Sequence, residues 1–362
     1  MHLAGLRVLA LTPASSFGGV NTSVDRVRAL EALGCRVRVV DSEGARGPEG
    51  LKRLFLRARS KAFRAGLPVT LPDLWSNASR LLAAGAEGPW DIVWLEKALT
   101  IGATTLQRLR RVCPDALFVG FSPDDMNARH NQSQQFLGAL PHYDWFLTTK
   151  TYNVDELRAR GCPQTLYVGN GYDPGIFRPL RPTPEDLARF GGDVGFIGTY
   201  ERERAESMLF LAEQGVKVRV WGGSWREIPR QHPNLRLEHV PLRGDDFALA
   251  CQAFKINLGF LRKINRDQQT TRSVEIPACG GFMLAERTDE HLAMFEEGKE
   301  AEFFGSNREL LEKCQRFLRD DQARLAIACA GHERCVRSGY TNVERLRVAL
   351  EHVLAASRNR AA

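Results

Sequence analysis

Two carboxylates eight positions apart, Asp267 and Glu275, are the side chains of this sequence that best suit a phosphorylated, hydroxyl-rich ligand. The first falls in a polar stretch, and the second falls in the opening turns of a short predicted helix with Val274 and Ala278 on its inner face. A predicted buried strand, 282–285, follows that helix. A helix N-terminus binds phosphate through its free N–H groups, and a carboxylate beside it accepts hydrogen bonds from sugar hydroxyls. The pattern therefore predicts a nucleotide-sugar site.

Basic side chains that suit a phosphorylated ligand occur at two places in the second half of the sequence. Arg202 and Arg204 follow the first predicted strand of the second half, and an arginine fork can bond two phosphate oxygens at once. Because they occupy alternate positions, only one of the two is expected to face a ligand. Alternatively, both form surface ion pairs with Glu201 and Glu203, which would stabilise little. The cations closest to the acidic pair are Arg262, Lys263, Arg266 and Arg272.

Glycines follow several predicted strands, where a ligand would approach the backbone. Gly18 and Gly19 precede a predicted helix, which would allow close contact with an anion, although a simple tight turn explains the pair equally well. Their loop lacks the spacing of a dinucleotide or P-loop fingerprint, which disfavours NAD and ATP as ligands. Gly198 marks the turn after another strand, and Gly222, next to Gly223, leaves room for a flat base or a ribose.

The stretch from Arg266 to Glu286 resembles the donor-site signature of group-1, retaining glycosyltransferases of the GT-B fold, in which two acidic residues are separated by seven. Within that group, the sequence is most similar to the branch typified by the CgeB spore-maturation proteins. One departure is Asp267, where the wider group usually has Glu. The resemblance extends over roughly the last two thirds of the chain. Further matching segments are 122–125, 144–150, 171–174, 196–204 and 255–259.

This resemblance implies an α/β chain of GT-B architecture, in which two doubly wound, Rossmann-like domains face an interdomain cleft. It implies transfer of a sugar from a nucleotide sugar to an acceptor with retention of the anomeric configuration. Glu275 would bind the ribose hydroxyls, and Asp267 would approach the sugar. Helix N-termini and cations would stabilise the leaving diphosphate, so that neither a cofactor nor a metal is expected. Asp125 and His130, which follow a predicted strand, are candidate bases unless the donor phosphate takes the acceptor's proton.

Strands and helices alternate along the whole chain, which predicts two parallel sheets with helices on their faces. A proline-bearing segment, 177–184, predicts an interdomain linker. The predicted domains are 1–178, which would bind the acceptor, and 179–340, which would bind the donor; by the family resemblance, 341–362 forms a helix that packs back on the first domain. The predicted strands are 7–11, 36–40, 91–95, 117–121, 145–148, 165–168, 193–197, 216–221, 235–240, 255–261, 282–285 and 301–304.

Two helices of the N-terminal half have locally predicted orientations or caps. The helix after the first glycines carries Val24, Val27, Leu30 and Leu33 on one face, which is expected to point into the core, and it ends at Gly34. Further along the chain, Asn153 is expected to cap the helix that runs to Arg160.

The overall composition favours a soluble globular protein of two domains. The 362 residues are 43% hydrophobic and 26% charged, which is ordinary for such a protein. The eight cysteines show no Cys-x-x-Cys pair and no His/Cys metal spacing, so neither a disulfide framework nor a structural zinc is expected. The apolar run 8–11 is too short for a membrane span or a signal-peptide core. Together these features predict a cytoplasmic protein.

A net charge of +7 and a basic segment at 46–64 favour anionic partners, and nucleotide sugars, lipid phosphates and nucleic acid all qualify by charge. The basic residues alternate with apolar ones, which would suit peripheral contact with the inner face of a membrane. A solvated face of a packed helix is the favoured interpretation, because the apolar stripe is also what packing needs. Only Phe55 and Phe63 interleave with the basic residues as aromatics, which disfavours nucleic acid.

Two other functional classes stay open on sequence grounds. A GT-B scaffold could bind a sugar nucleotide without turnover, since no single residue proves catalysis. A sugar-nucleotide epimerase on the same architecture would need an acid and a base on either side of the donor ring. The sequence does not specify the sugar, the nucleotide base or the acceptor, which could be a glycan, a lipid-linked molecule or a protein.

Overall fold

The computed structural model describes residues 3–15, 21–43, 54, 58–59, 61–63, 65, 67, 70–228 and 230–361. Gly18 and Gly19 lie outside the described residues, as does most of the basic segment 46–64. The interpretations that rest on them, an anion-binding loop and a basic helix, therefore stay predictions.

The chain divides into two compact units. The first unit contains Met1–Gly169 together with Asn342–Ala362, and the second contains Asn170–Thr341. The division falls before the proline-bearing segment 177–184. The last helix belongs to the first unit, although it lies at the far end of the chain.

The first unit is built on a sheet of parallel strands. These are β1 (Arg7–Thr12), β2 (Arg36–Asp41), β3 (Ile92–Glu96), β4 (Leu117–Ser122), β5 (Trp145–Thr148) and β6 (Thr165–Tyr167). Their order across the sheet is β2-β1-β3-β4-β5-β6. The described helices that connect them are α1 (Thr22–Ala32), α2 (Asn77–Gly85), α3 (Ala103–Val112), α4 (Gln134–Ala139) and α5 (Asn153–Ala159).

The second unit repeats this design. Its strands are β7 (Gly192–Ile197), β8 (Val218–Trp221), β9 (Leu235–Leu237), β10 (Phe254–Gly259), β11 (Met283–Glu286) and β12 (Glu302–Phe304). Their order is β12-β11-β10-β7-β8-β9, and all pairs are parallel. Its helices are α6 (Pro184–Phe190), α7 (Arg202–Glu213), α8 (Gly244–Ala253), α9 (Arg272–Ala278), α10 (Asp289–Met294), α11 (Asn307–Arg319) and α12 (Asp321–Arg337). The chain then returns to the first unit in α13 (Asn342–Ala361).

Every predicted strand is present, and the fold class is confirmed as α/β with two doubly wound sheets. Helices cover both faces of each sheet, so a central strand such as β3 is buried along its whole length. The largest difference in strand bounds is at β9, which ends at Leu237 where the sequence predicted a strand to 240. His239 has a φ of +54°, and this left-handed conformation cannot continue a strand.

The buried face of α1 agrees only in part with the apolar face predicted from the sequence, since Leu30 of that face is 1% exposed. Arg26 turns inward and is only 5% exposed, whereas Val24 and Val27 are half-buried. The Arg26 guanidinium pairs with Glu96, at the carboxyl end of β3, and lies 4.5 Å from the centroid of the Phe121 ring. A buried charge must be paired, so this ion pair sets the inward face of α1 together with the buried Leu30.

The last helix completes a core of the first unit. Leu350 and Val353 of α13 are fully buried in one cluster with Val8 of β1 and Leu30 of α1. Residues from the two ends of the chain therefore share one hydrophobic core.

In each sheet the strand order reverses at one point, the switch point, which lies between β1 and β3 in the first unit and between β7 and β10 in the second. The connections on either side of such a point diverge and leave a crevice at the carboxyl ends of the strands, where ligands of open α/β sheets bind. The predicted acidic pair follows β10. The switch point of the second sheet is therefore where the candidate site must be sought.

Candidate functional site

The loop after β10 carries Asp267 at the carboxyl edge of the second sheet. Arg266, just before it, has a left-handed φ of +46°. The Asp267 N–H donates to the carbonyl of Arg262 at 3.2 Å, and the resulting turn leaves only 7% of Asp267 exposed. A left-handed conformation is costly for arginine, so the contacts around this loop must hold it.

Glu275 lies in the first turns of α9, as predicted, and is 3% exposed. Its carboxylate pairs with Arg272, three residues earlier on the same helix. The Arg272 Nε donates to the carbonyl of Ile197 at 3.3 Å, and its guanidinium lies 4.3 Å from the centroid of the Phe247 ring. Arg272 therefore ties α9 to the end of β7, at the switch point.

A cavity of about 450 Å³ opens beside Asp267, at the carboxyl ends of β10 and β11. Lys263, from the predicted cation cluster, lines it together with Asp267. Glu286, the last residue of β11, and Thr288, two positions later, line it too, and the sequence analysis gave neither a role. Their position at the end of a buried parallel strand was the signal that could have found them. Carboxylates, ammonium groups and hydroxyls in one cavity suit a ligand with many hydroxyls.

Lys263 and Glu286 form an ion pair at this edge. The second carboxylate oxygen of Glu286 accepts the N–H of Leu261 at 2.9 Å, so the carboxylate is held in one orientation. Both residues also line a second cavity, of about 280 Å³, to which Arg204 contributes from α7.

The two arginines of α7 have different environments. The Arg202 side chain is 85% exposed and pairs with Glu206 one turn further along the helix. Arg204 is 6% exposed and donates to the carbonyl of Thr199 at 3.2 Å, while its Nε has no hydrogen-bond partner among the described residues. Burial lowers the pKa of Arg204 below its usual value, against the opposing charge of Glu201. Arg202 therefore fits a surface ion pair, and Arg204 is the arginine built into the edge of the site.

Gly198 and Gly222 approach each other closely after β7 and β8. A Cβ on Gly222 would lie 1.9 Å from the carbonyl oxygen of Gly198, and the φ of Gly222 is +148°. The indole N–H of Trp225 donates to the same carbonyl oxygen at 2.9 Å. Backbone packing thus accounts for glycine at position 222, and nucleotide contact by the two glycines stays a prediction.

Asp125, a predicted base candidate after β4, is fully buried. Its Oδ1 accepts hydrogen bonds from the N–H groups of Asn127 and Ala128, at 3.0 and 3.2 Å, and from the side chain of Asn153 at 2.9 Å. An oxygen with three protein donors stabilises the turn that contains Asp125, and a catalytic role for Asp125 stays a prediction. The cap predicted for Asn153 is wrong: Tyr152 is the N-cap residue of α5, and the Asn153 amide is used on Asp125 instead.

The other polar residues of this loop lie closer to the surface. His130 is half-buried in a short 3₁₀ turn, Arg129–Asn131. Asp124 pairs with Lys97, which has a left-handed φ of +44° at the end of β3. A catalytic role for His130 stays a prediction.

Neither a cluster of metal ligands nor a membrane-spanning helix occurs in the part of the chain that the structure describes. All eight cysteines are free thiols, and Cys329 is the exposed one.

Comparison with known protein families identifies a glycosyl transferase-like region that includes most of the second unit. Residues 202–351 match the family model described as glycosyl transferase-like, a region that includes the acidic pair and Arg204. No curated protein matches the chain.

Solved structures with the same fold match almost the whole chain. HepE from Anabaena, solved in complex with UDP-glucose, is 14% identical over 97% of this chain and 100% of its own, with a TM-score of 0.67. Sucrose-phosphate synthase from Thermosynechococcus elongatus is 13% identical over 97% and 100%, with a TM-score of 0.66. A glycosyltransferase from Rickettsia africae is 12% identical over 96% and 98%, with a TM-score of 0.59. The fold is therefore that of GT-B glycosyltransferases. This chain has that fold together with a glycosyl transferase-like sequence over residues 202–351, from α7 into α13.

Proposed function

We propose that this protein is a glycosyltransferase that moves a sugar from a nucleotide-sugar donor to an acceptor, with retention of the anomeric configuration. The observation that carries the proposal is that Asp267 lines a cavity at the carboxyl edge of the second sheet and that Glu275 is buried in the first turns of α9, both inside the glycosyl transferase-like region. HepE, which has the same fold, was solved with UDP-glucose, and this supports a nucleotide sugar as the ligand.

In the proposed donor complex, Glu275 accepts hydrogen bonds from the ribose hydroxyls, and Asp267 accepts them from the sugar. Arg204 and Lys263 stabilise the negative charge that develops on the leaving diphosphate. Cations that are already in place cost no reorganisation as the bond breaks, so the reaction is proposed to need no divalent metal. Asp125, His130 and the donor's own phosphate oxygen are the candidates to take the acceptor proton.

The wider biochemical setting is also a proposal. The transferred group would be a hexose and the acceptor a glycan, a lipid-linked molecule or a protein, as in polysaccharide biosynthesis by a CgeB-like member of the group-1 family. The net charge of +7 suits an anionic acceptor or a membrane surface, so we place the activity in the cytoplasm or at the inner face of a membrane.

The first test is nucleotide binding by the wild-type protein and by Glu275→Gln, a change that removes charge at constant size. UDP, GDP, ADP, CMP and dTDP and their sugars are screened by thermal shift. A ligand at a hundredfold excess over its dissociation constant stabilises the folded state by about 2.7 kcal/mol. We expect one base family to bind and Glu275→Gln to weaken it about tenfold, equivalent to about 1.4 kcal/mol. The matched control is Glu302→Gln, equally buried but at the amino end of β12, which should bind like the wild type.

Turnover separates the transferase from the other classes. We expect slow release of free sugar from the bound nucleotide sugar without acceptor, in the presence of EDTA, and NMR should show retained configuration at the anomeric carbon. Tight binding without turnover over a broad acceptor panel would indicate a scaffold, and an epimerised nucleotide sugar would indicate an epimerase. Absence of binding to every nucleotide of the screen would contradict the proposal.

A further inference from the structure

The segment that joins Asp267 to Glu275 is held at its first end by the cap of α10. Thr288, the N-cap residue of α10, donates its hydroxyl hydrogen to the carbonyl of Gln268 at 2.6 Å. The same hydroxyl oxygen accepts the N–H of His291 at 3.1 Å. Since the hydroxyl both donates and accepts, its orientation is fixed, and the capping bond of α10 also anchors the loop.

His291 holds the second end of this segment. Its Nδ1 lies 2.6 Å from the carbonyl oxygen of Glu286, and its Nε2 lies 2.7 Å from the Ser273 hydroxyl. A carbonyl can only accept, so Nδ1 carries the ring hydrogen and Nε2 accepts from Ser273. The Ser273 oxygen in turn accepts the N–H of Thr270 at 3.1 Å. The hydrogen bonds of Thr270, Ser273 and His291 thus form one chain in which every donor points the same way, from the loop to the Glu286 carbonyl at the end of β11.

The surroundings leave this chain little freedom to rearrange. His291 is 1% exposed, and its ring stacks on Phe303 with centroids 5.4 Å apart and planes 4° from parallel. Gln269, in the middle of the segment, is also 1% exposed. Buried hydrogen bonds of this kind are costly to break, because their groups would then lack partners.

We propose that Thr288 and His291 are positioning residues, which clamp the segment 268–273 and thereby fix Asp267 and Glu275 for binding of the donor. Gln268 directly follows Asp267, and Ser273 lies two positions before Glu275, so both carboxylates adjoin a clamped position. Groups already held in the bound geometry do not lose conformational freedom when the ligand arrives, which strengthens binding. The inference rests on the proposed function for its consequence in binding, whereas the clamp itself is a property of the free protein.

The experiment uses the full chain and removes one link at a time. Thr288→Val keeps the shape of the side chain and removes its hydroxyl, and Ser273→Ala cuts the link to His291. Thr183→Val is the matched control: Thr183 caps α6 by accepting the N–H of Asp186 at 3.2 Å, but α6 precedes β7 at the amino edge of the sheet. Two quantities are measured, the hydrogen-exchange rates of amides 266–275 without ligand and the dissociation constant of UDP by calorimetry.

We expect Thr288→Val and Ser273→Ala to speed exchange in 266–275 about tenfold or more and to raise the dissociation constant of UDP about tenfold. Thr183→Val should change neither quantity. Wild-type exchange rates in both clamp variants would overturn the clamp, and faster exchange with unchanged UDP affinity would overturn its positioning role. If the wild type binds no nucleotide at all, the proposed function fails and with it the positioning role, while the exchange rates still decide whether the clamp exists.

Discussion

Arg202 and Arg204 stand two positions apart on α7, and burial gives them different uses. The first is 85% exposed in its side chain and pairs with Glu206, while the second is 6% exposed at the edge of the site. The neighbours Asp124 and Asp125 differ in the same way, since one pairs with a lysine and the other stabilises a turn. At the scale of single residues, the surroundings rather than the residue type decide which charge can meet a ligand.

Gly222 allows a direct test of packing against ligand contact. We expect Gly222→Ala to lower the free energy of unfolding by about 1–3 kcal/mol, because the new Cβ would overlap the Gly198 carbonyl and the backbone is unfavourable for a side chain. Gly223→Ala is the matched control, since nothing lies within 4 Å of its added Cβ, and should stay within about 0.5 kcal/mol of the wild type. Urea unfolding measures both. Equal stability of the two variants would reject the packing explanation and leave ligand contact as the reason for glycine.

At the scale of elements, polar pairs orient the helices around both switch points. Arg26 on α1 turns inward to meet Glu96, and Ser273 on α9 is bonded to His291 on α10. A helix whose inner face carries such a pair has one favoured rotation, because any other would bury an unpaired polar group. A binding site requires its supporting helices to keep one fixed orientation in this way.

His291 makes the stability of α10 and its contacts depend on pH. Burial lowers its pKa below the usual 6.5, against the Glu286 carbonyl and the charges of Glu290 and Glu286, so the folded protein keeps the ring neutral. The unfolded chain binds a proton as the pH falls below about 6.5. The stability associated with the neutral ring is therefore complete above that pH, and we expect it to decrease by up to about 1.4 kcal/mol per pH unit as the pH falls towards 5.

Urea unfolding at several pH values between 7.5 and 5 measures this slope. His291→Phe carries no titrating group, and although it lowers stability at every pH, it should show a flatter profile in that range. Glu309, whose pKa is lowered to about 2 chiefly by its hydrogen bonds with Arg287, contributes a separate loss only below about pH 4.5. An equally steep slope in His291→Phe would show that other groups cause the dependence.

At the scale of the whole molecule, the chain forms two units with their own sheets and cores, and α13 brings the end of the chain back to the first. The second unit carries both proposed donor residues and the clamp. The first carries the polar loop after β4, with His130. Substitutions in α13 should therefore destabilise the first unit, although most of that unit lies far from α13 in the sequence.

Leu350 tests this assignment. It is completely buried, and we expect Leu350→Ala to cost about 2–5 kcal/mol in the first unit, through lost burial and the cavity left behind. Val348→Ala, on the same helix but 54% exposed, should change stability by less than about 0.5 kcal/mol. Hydrogen exchange should accelerate in β1 and α1 of the Leu350 variant and stay unchanged in β7 and β10. Acceleration in β7 and β10 instead would contradict the place of α13.

The sequence by itself determined the strands, their parallel arrangement in two sheets and the location of the acidic pair. Strands covered on both faces consist mainly of apolar residues bounded by turn residues, as in Ile92–Glu96, where only the last residue is charged. This local pattern can be recognised without knowing which strands pair. The eight-residue spacing of Asp267 and Glu275 can likewise be recognised from the sequence alone.

Only the tertiary structure decided which polar groups are paired. Arg26 and Glu96 are 70 positions apart, and Ser273 and His291 are 18 apart, so no periodicity of a single element could predict either contact. The inward face of α1, the use of Asn153 on Asp125, the separation of Arg202 from Arg204 and the clamp on 268–273 all depend on such contacts. The physical reason is that the free-energy cost of burying a polar group depends on its partner, and the partner comes from a distant part of the chain.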